Sequence, residues 1–325
     1  MDRPGSLAAL RATVAGFAAA RLADAPSWCV ALSGGPDSLA LTAAAADLRP
    51  TTALIVDHGL QPGSAAVAET ARRQALALGC ADARVLPVDV GSDGGPEAAA
   101  RAARYVALDT ARAGAPVLLA HTLDDQAETV LLGLGRGSGP RSIAGMRPCD
   151  PPWYRPLLEV RRRDTHAACA ELDLNPWDDP HNHDRRFTRV RLRTEVLPLL
   201  EEVLGGGVAE ALARTATALR EDTDTLDALA EADLATVTAG GTLDVAAIAE
   251  LPAALRRRVI RAWLLAGGAI DLTDGQIRAV DALVTAWRGQ GGVAVGCGVA
   301  RTRMFAERRG AHLSLRTEPV RTETD

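Results

Sequence analysis

The chain has 325 residues and a formal net charge of −5; 47% of the residues are hydrophobic, 24% are charged, and all 36 basic residues are arginine. The absence of lysine excludes a Walker-type P-loop, a protein kinase and any enzyme that forms a Schiff base on its own lysine. If the protein binds phosphate, arginine side chains and backbone amides must bind it.

Length, cysteine usage and hydropathy narrow the class of protein further. The length is that of about two domains, since a domain takes roughly 150 residues. Five cysteines are scattered without a C-x-x-C pair, which is typical of reduced thiols and not of a disulfide framework, a zinc site or an iron–sulfur cluster. No uncharged run reaches the ~20 residues that a membrane helix needs. We therefore expect a cytoplasmic protein with no membrane segment.

The first half of the chain alternates helical and strand-like segments. Apolar spacing predicts helices over 6–23, 37–48, 64–79 and 96–113 and from about Asp124, and strands over 28–32, 53–56, 85–88 and 117–120. Strands that alternate with helices of this length indicate a parallel sheet covered on both faces. The prediction is a doubly wound, Rossmann-like α/β domain over 1–205.

The alternation ends after Gly133, where a loop rich in glycine, arginine and proline runs to Pro156. Further segments are predicted as helices over 161–173, 188–204 and 208–234, turns and helices over 240–289, and a small antiparallel meander over 293–316. The second half is therefore predicted to be a mostly helical linker region, with a linking helix over 206–236, followed by a small α+β domain over 237–325.

Charge is distributed unevenly along the chain. Residues 136–193 carry 12 arginines against 8 acidic residues, whereas both flanks are net negative. An asymmetry of this kind marks either a surface that faces a polyanion or a solvated loop region, and charge alone does not separate the two.

The sharpest local signal follows the first predicted strand and reads Ser33-Gly34-Gly35-Pro36-Asp37-Ser38. The glycines allow close approach of a ligand to the backbone, and the start of the next helix supplies amide groups and a positive dipole, so the turn suits an anion. An aspartate inside such a turn needs a bridging cation, which makes Asp37 the candidate Mg²⁺ ligand beside a di- or triphosphate. The alternative is an ordinary capped strand–helix turn.

This loop resembles the S-G-G-x-D-S loop of the N-type ATP pyrophosphatases, which adenylate a substrate and release pyrophosphate. Together with further motifs over roughly 28–200, it resembles the tRNA(Ile)-lysidine synthetase family, and 208–325 is more loosely similar to that family's short C-terminal domain. The motifs are Val56-Asp57-His58-Gly59-Leu60, Glu97 to Arg101 with Arg104-Tyr105, Ala120 to Thr129, Arg136-Gly137-Ser138-Gly139, Gly145-Met146, Arg155 to Leu158, Asp179 to Asn182, and Phe187 to Arg193 before Leu197 to Leu200.

The resemblance implies a reaction in two steps. ATP activates the C2 carbonyl oxygen of the wobble cytidine of tRNA(Ile) with a CAU anticodon, releasing pyrophosphate. The ε-amine of free L-lysine then displaces AMP and gives lysidine. ATP as a substrate, Mg²⁺ as a cofactor, tRNA(Ile) and free L-lysine as partners, and a possible homodimer are implied with it.

The resemblance also implies roles for individual residues. Asp125 and Glu128 are three residues apart and share a helix face, where they would bind the lysine ammonium or accept its proton; the alternative is a solvated acidic face. The candidate catalytic residues are Asp37, Arg101, His121, Asp125, Glu128 and Arg189, and those for ATP are Ser33, Gly34, Gly35, Pro36, Asp37, Ser38, Val56 and His58. The candidate tRNA contacts are Arg136, Arg141, Arg191 and Arg193, together with the domain over 237–325.

Two questions about the arginine-rich middle stay open at this point. Arg189, Arg191 and Arg193 alternate in a predicted helix, so they lie on different faces, and which of them enters the site is undecided. Trp153, Tyr154 and Phe187 either offer stacking faces to an unstacked anticodon loop or simply pack. Thr122, His181 and Val190 depart from the family's motifs and receive no role.

Three other functions compete with this interpretation. A tRNA 2-thiolation enzyme on the same ATP scaffold usually carries C-x-x-C, which this chain lacks. A small-molecule adenylating synthetase usually brings a glutaminase domain and has no use for the arginine-rich middle. A non-catalytic nucleotide sensor is disfavoured because Asp37, Asp125 and Glu128 are retained.

Overall fold

The computed structural model describes residues 5–59, 61, 63–91, 95–137 and 139–320, without the side chains of Pro96 and Glu97. The predicted motif residues Leu60 and Ser138 and the side chain of Glu97 therefore lie outside the described part. The chain forms two compact units, one from 1–135 with 145–216 and one from 136–144 with 217–325. The domain limits 1–205, 206–236 and 237–325 stay a prediction.

Helices and strands follow each other largely as the sequence predicts. In chain order they begin with α1 (Ser6–Arg21), β1 (Trp28–Ala31), α2 (Pro36–Ala46), β2 (Thr51–Asp57), α3 (Ser64–Ala77), β3 (Asp82–Pro87), α4 (Pro96–Ala111), β4 (Val117–Leu118), α5 (Leu123–Arg136), α6 (Pro140–Ile143), β5 (Cys149–Asp150), β6 (Trp153–Tyr154) and α7 (Arg162–Glu171). They continue with a 3-10 turn (Pro180–His183), α8 (Thr188–Arg191), a π turn (Leu192–Val196), α9 (Leu197–Val203), α10 (Val208–Val237), β7 (Thr238–Ala239), β8 (Thr242–Asp244), α11 (Val245–Ala249), α12 (Ala253–Ala266), β9 (Ala269–Ile270), α13 (Asp274–Thr285), β10 (Val293–Cys297), β11 (Thr302–Arg309) and β12 (His312–Pro319).

The first unit is built on a sheet whose described strands run in the order β3-β2-β1-β4-β6-β5. All neighbours are parallel except β5 and β6, which pair antiparallel. The chain order reverses between β1 and β4, because β2 and β3 lie on one side of β1 and the later strands lie on the other. The doubly wound, Rossmann-like prediction is confirmed.

Alternate residues of β1 face opposite layers of helices. Val30 belongs to the large core with α1, α2, α3 and α7, whereas Cys29 and Ala31 pack with Leu108 of α4. Trp28 is 1% exposed, and its indole N–H donates to the Thr51 hydroxyl at 2.8 Å. The all-apolar β1 is explained by this burial on both faces.

Two strands, β5 and β6, were missed in the predicted loop over 133–156. Leu119 N–H donates to the Tyr154 carbonyl at 2.7 Å, so β6 extends the sheet beyond β4. Each strand has only two residues, which is too short for any periodicity to reveal. β6 is created by its pairing with the distant β4, and β5 by its pairing with β6.

The second unit contains an antiparallel sheet with the described strands in the order β7-β8-β12-β11-β10-β9. The predicted meander is confirmed, since β10, β11 and β12 pair in sequence, with Gly310 at φ +61° in the turn between the last two. Trp263 and Ile260 of α12 are at most 3% exposed in its core. Asp281 of α13 is 4% exposed and accepts hydrogen bonds from Arg256 and Arg257 at 2.5 and 3.0 Å.

Among the described residues, no helix combines the length and apolar character that a membrane span requires.

Candidate active site

The predicted site motifs meet at the carboxyl ends of the parallel strands. The Ser33–Ser38 loop follows β1, His58 follows β2, and His121 follows β4 before α5 begins. The chain reverses its winding direction between β1 and β4, and that is where open α/β sheets bind their ligands. The topology thus brings residues nearly a hundred positions apart to one edge of the sheet.

The loop between β1 and α2 is closed by its own hydroxyl groups. Ser38 Oγ accepts from the Ser33 N–H at 3.2 Å and donates to the Gly35 carbonyl at 2.9 Å. Gly34 has φ +84°, a conformation that side chains disfavour, and its carbonyl accepts from the Trp177 N–H at 2.9 Å. Pro36 begins α2, where a missing N–H costs nothing. The turn is preformed, with the start of α2 directed at the space outside the sheet.

Two cavities adjoin this loop, both within the first unit. One of about 260 Å³ is lined by apolar residues of β2 and α3 together with His58 and Trp177. The other, of about 740 Å³, is lined by Asp37, His121, Asp125, Arg162 and Arg193, among others. The first has the apolar walls that a nucleobase prefers, and the second has the charged walls that phosphates and an amino acid require.

An ion-pair network of three acids and two arginines lies at the larger cavity, where all of its members except the enclosed Glu128 line the wall. Arg162 lies 2.5 Å from Asp125, 3.3 Å from Glu128 and 3.5 Å from Asp37. Arg193 lies 2.8 Å from Glu128 and 3.7 Å from Asp125. Three carboxylates against two guanidinium groups leave one surplus negative charge, which suits one additional cation.

The acids of this network differ in how far they are available to a ligand. The side chain of Glu128 is 0% exposed and its contacts are with Arg162 and Arg193, so it orients those two guanidinium groups. Burial alone would raise the pKa of Asp125, but the Arg162 charge and hydrogen bonds from Thr122 lower it. Asp125 therefore stays ionised and borders the cavity.

Asp37 is the second residue of α2 and lies at the edge of the same cavity. Its carboxylate accepts a hydrogen bond from Thr165 and lies 3.5 Å from Arg162. Burial raises its pKa, against the opposing effects of Thr165 and Arg162. Within the described residues, no three His, Cys, Asp or Glu side chains are grouped to hold a metal ion by themselves. A Mg²⁺ ion bound by one or two carboxylates and by substrate phosphates fits this donor set, because Mg²⁺ rarely uses an all-protein cage.

His121 is a neutral imidazole in this setting. Burial lowers its pKa to about 4, and the nearby charges of Arg155, Arg104 and Arg101 act in the same direction, while Asp125 opposes them. Its buried Nδ1 atom has no hydrogen-bond partner among the described residues. Near pH 7 the ring is therefore a polar neutral group that can donate or accept one hydrogen bond to a ligand.

Replacing His121 with asparagine should make the free energy of unfolding depend less on pH below neutral pH. The folded-state pKa lies below the ordinary value of 6.5, so the unfolded chain binds more protons between about pH 4 and 6.5. In the wild type, the contribution of His121 to the free energy of unfolding is complete above pH 6.5 and is lost as the pH falls towards 4. Urea unfolding at a series of pH values measures this, and an equally steep loss in the variant would contradict a buried neutral imidazole.

The arginines at 189, 191 and 193 take three different positions. Arg193 lines the larger cavity and contacts Glu128, whereas Arg189 is exposed and Arg191 pairs with Glu195 at the surface. Arg193 belongs to the π turn between α8 and α9, where Pro198 lacks the N–H that would bond to the fourth residue before it. This turn changes the helical phase, so regular helix spacing does not give the direction of Arg193.

The other predicted contact residues lie at the surface or in the packing. Arg101 and Arg136 are exposed, and Arg101 donates to the Tyr105 hydroxyl at 3.3 Å. Arg141 pairs with Asp227 in the second unit. Trp153 packs edge-on against Tyr105 at 4.7 Å and Tyr154 against Phe17 at 6.5 Å, so these two rings are packing groups and not stacking platforms.

The chain is similar to known proteins over nearly its whole length. Residues 10–200 match the PP-loop domain family, and residues 243–305 match the TilS substrate binding domain. The chain is 71% identical over 321 residues to the tRNA(Ile)-lysidine synthase of Mycolicibacterium paratuberculosis, which covers 99% of this chain and 100% of the relative. It is 69% identical over 324 residues to that of Mycobacterium tuberculosis strain H37Rv, with 98% and 100% covered. The chain belongs to the tRNA(Ile)-lysidine synthase family.

Membership in this family makes the chain an ATP-dependent ligase. Among solved structures it is similar to the U34-tRNA thiolase NcsA from Methanococcus maripaludis, described with its [4Fe-4S] cluster, at a TM-score of 0.54 and 16% identity, covering 66% of this chain and 80% of the other. That likeness shows the fold alone. The chain has no C-x-x-C pair, so nothing beyond the fold connects it with thiolation.

Three features of the lysidine synthase site escaped the sequence analysis. Arg162 joins three acids, Thr165 bonds to Asp37, and Asp124 accepts from the Arg162 backbone N–H at 2.7 Å. The run Arg161-Arg162-Arg163 offered a signal, since it begins three residues after the Arg155 to Leu158 motif. It did not say which of the three is buried, and only the packing of α7 against α2 decides that.

Proposed function

We propose that the chain catalyses the two-step reaction of its family on tRNA(Ile) with a CAU anticodon, using ATP and free L-lysine. The observation that carries the proposal is the convergence of a preformed phosphate loop and a carboxylate network with one surplus negative charge on the walls of one cavity. A cavity of this kind suits an adenylated base on one side and an ammonium group on the other.

In the first step the C2 carbonyl oxygen of the wobble cytidine attacks the α-phosphorus of ATP, and pyrophosphate leaves. Ser33, Gly34, Gly35, Pro36, Asp37 and Ser38 bind the phosphates, and Val56 and His58 border the nucleoside. When bound, Mg²⁺ on Asp37 would neutralise phosphate charge. His121 and Arg101 contribute a hydrogen bond and a positive charge on the phosphate side.

In the second step the ε-amine of lysine attacks C2 and AMP leaves with the oxygen atom. Asp125 binds the ammonium form and accepts its proton before attack. Glu128 acts on lysine through Arg162 and Arg193, whose guanidinium groups it holds in place. The surplus negative charge of the network favours an amino acid with a cationic side chain over one with a neutral or acidic side chain.

We further propose that exposed arginines and the domain over 237–325 bind the tRNA backbone. The candidate phosphate contacts are Arg136, Arg141, Arg189 and Arg191, and the side chain of Arg193 is 32% exposed. We also propose that the enzyme is cytoplasmic and that it acts as a homodimer. The domain over 1–205 carries the chemistry, and 206–236 links it to the tRNA-binding part.

Labelled lysine tests the function directly. With ATP and Mg²⁺, purified protein is expected to transfer label to tRNA(Ile) with a CAU anticodon and not to initiator tRNA, which has the same anticodon. The polypeptide has no lysine, so label retained after denaturation is on RNA. Absence of transfer to tRNA(Ile), with ATP-dependent transfer of sulfur instead, would overturn the proposal.

A further inference from the structure

Arg104 of α4 lies where the two cavities of the first unit meet. It lines the smaller, apolar-walled cavity together with His58 and Trp177, and also the larger cavity together with His121 and Asp37. Arg104 belongs to the same sequence motif as Arg101, but only Arg101 is predicted from the motif to have a catalytic role. Arg101 lines neither cavity and is exposed.

The guanidinium of Arg104 lacks the counter-ions that the other arginines of the site have. Arg162 and Arg193 are each held by two or more carboxylates. Among the described residues, Arg104 makes no ion pair or hydrogen bond. Burial lowers the pKa of Arg104 and the charge of Arg101 acts in the same direction, while Tyr105 opposes them.

Two neutral imidazole rings and another arginine lie near Arg104, and none of the aspartates that line the two cavities pairs with it among the described residues. Its charge, like that of Arg155, lowers the pKa of His121. The buried Nδ1 atoms of His58 and His121 are both unpartnered among the described residues. Arg104 is half-buried, lines both cavities and has no counter-ion among the described residues, so an anion bound at this corner would complete it.

The position of Arg104 identifies which anion this is. A nucleoside in the apolar cavity and a pyrophosphate group on the Ser33–Ser38 loop are joined through a single phosphate at the junction. That phosphate is the α-phosphate, which carries negative charge in ATP, in the adenylated cytidine and in AMP. We propose that Arg104 is a catalytic residue that binds the α-phosphate through both steps.

This assignment rests on the proposed function and adds one contact to each of its steps. In the first, the bond from the α-phosphorus to the β-bridging oxygen breaks as the bond to the cytidine oxygen forms, and pyrophosphate takes the electron pair. In the second, the bond from C2 to that oxygen breaks as the C2–N bond forms, AMP takes the electron pair, and the amine loses its proton. Arg104 neutralises the non-bridging oxygens of the same phosphate throughout.

The test compares Arg104→Met and Arg104→Lys with the surface control Arg73→Met. Arg73 is exposed on α3 and bonds only to Thr70 among the described residues. Thermal unfolding of the whole protein is followed without ligand and with adenosine, AMP or pyrophosphate, and lysine transfer to tRNA(Ile) is measured in parallel.

Arg104→Met is expected to melt no lower than the wild type without ligand, because it removes a half-buried charge that has no ion pair among the described residues. AMP should no longer raise the melting temperature of this variant, whereas adenosine and pyrophosphate should still raise it. The rate of lysine transfer should fall by about 10²–10³-fold. Arg104→Lys should recover part of the AMP effect, and Arg73→Met should behave as the wild type.

Two results would overturn the assignment. One is an AMP effect in Arg104→Met equal to that of the wild type. The other is loss of the pyrophosphate effect with AMP binding retained, which would place Arg104 on the leaving group. If the wild type binds AMP through Arg104 but transfers no lysine, the proposed function fails while the phosphate contact stands.

Discussion

Asp37→Asn is expected to reduce ATP-dependent pyrophosphate release at least about 10²–10³-fold, the range typical for loss of one preorganised electrostatic contact. Asparagine has nearly the same shape but no charge, so the loop keeps its form and loses the group that would hold Mg²⁺ beside the phosphates. The fold should tolerate the change. Burial already disfavours the ionised form of Asp37, and Arg162 still forms ion pairs with Asp125 and Glu128 in the variant.

The matched control for this variant is Asp47→Asn at the opposite end of α2. Asp47 caps the helix at the surface, where it pairs with Arg11. It should release pyrophosphate at the wild-type rate, and both variants should melt within a few degrees of the wild type. Wild-type turnover in Asp37→Asn at saturating ATP and Mg²⁺ would mean that the loop has been misinterpreted.

Arg162→Ala is expected to lower the free energy of unfolding of the first unit by about 3–5 kcal/mol near neutral pH, since removal of one partner from a buried ion-pair network leaves the others unpaired. Asp125 and Glu128 would then keep Arg193, and Asp37 would have no ion pair left among the described residues. The loss should shrink as the pH falls, because unpaired buried carboxylates take up protons and become neutral. Denaturant unfolding at neutral and acidic pH measures both effects.

The neighbouring Arg163→Ala serves as its control. The Arg163 side chain is 75% exposed and lies 3.8 Å from Asp164, so its removal should change the unfolding free energy by no more than about 0.5 kcal/mol. Equal stability losses in the two variants would contradict the ion-pair network. Lysine transfer should also fail in Arg162→Ala, since Asp125 and Glu128 lose the group that orients them.

The fold and the phosphate loop were predictable because both depend on local sequence. β1 is apolar throughout because it is buried on both faces, and the loop needs glycine and proline at fixed positions around Asp37. The chain order of the elements then limits the sheet topology, which places the residues after β1 and β4 together. The short β5 and β6 lacked a local signal because each is made by pairing alone.

Charge balance at the site was not predictable in the same way. Asp125 and Glu128 were predicted to act together, yet burial separates them: Asp125 borders the cavity and Glu128 is enclosed by two arginines. Of the three alternating arginines, it is Arg193 that lines the cavity, and a π turn gives it that direction. Sequence spacing holds no information on such a turn.

The sequence by itself determined the class of chemistry, because the absence of lysine and the Ser33–Ser38 loop leave arginine, backbone amides and Asp37 to handle phosphate. The tertiary structure alone decided which arginine does what. Arg162 is enclosed by carboxylates, Arg163 is in solvent, and Arg104, at the junction of two cavities, has no ion pair within the described part of the chain. The physical reason is that the role of an always-charged side chain depends on its burial and on its counter-ions, and both come from residues distant in the chain.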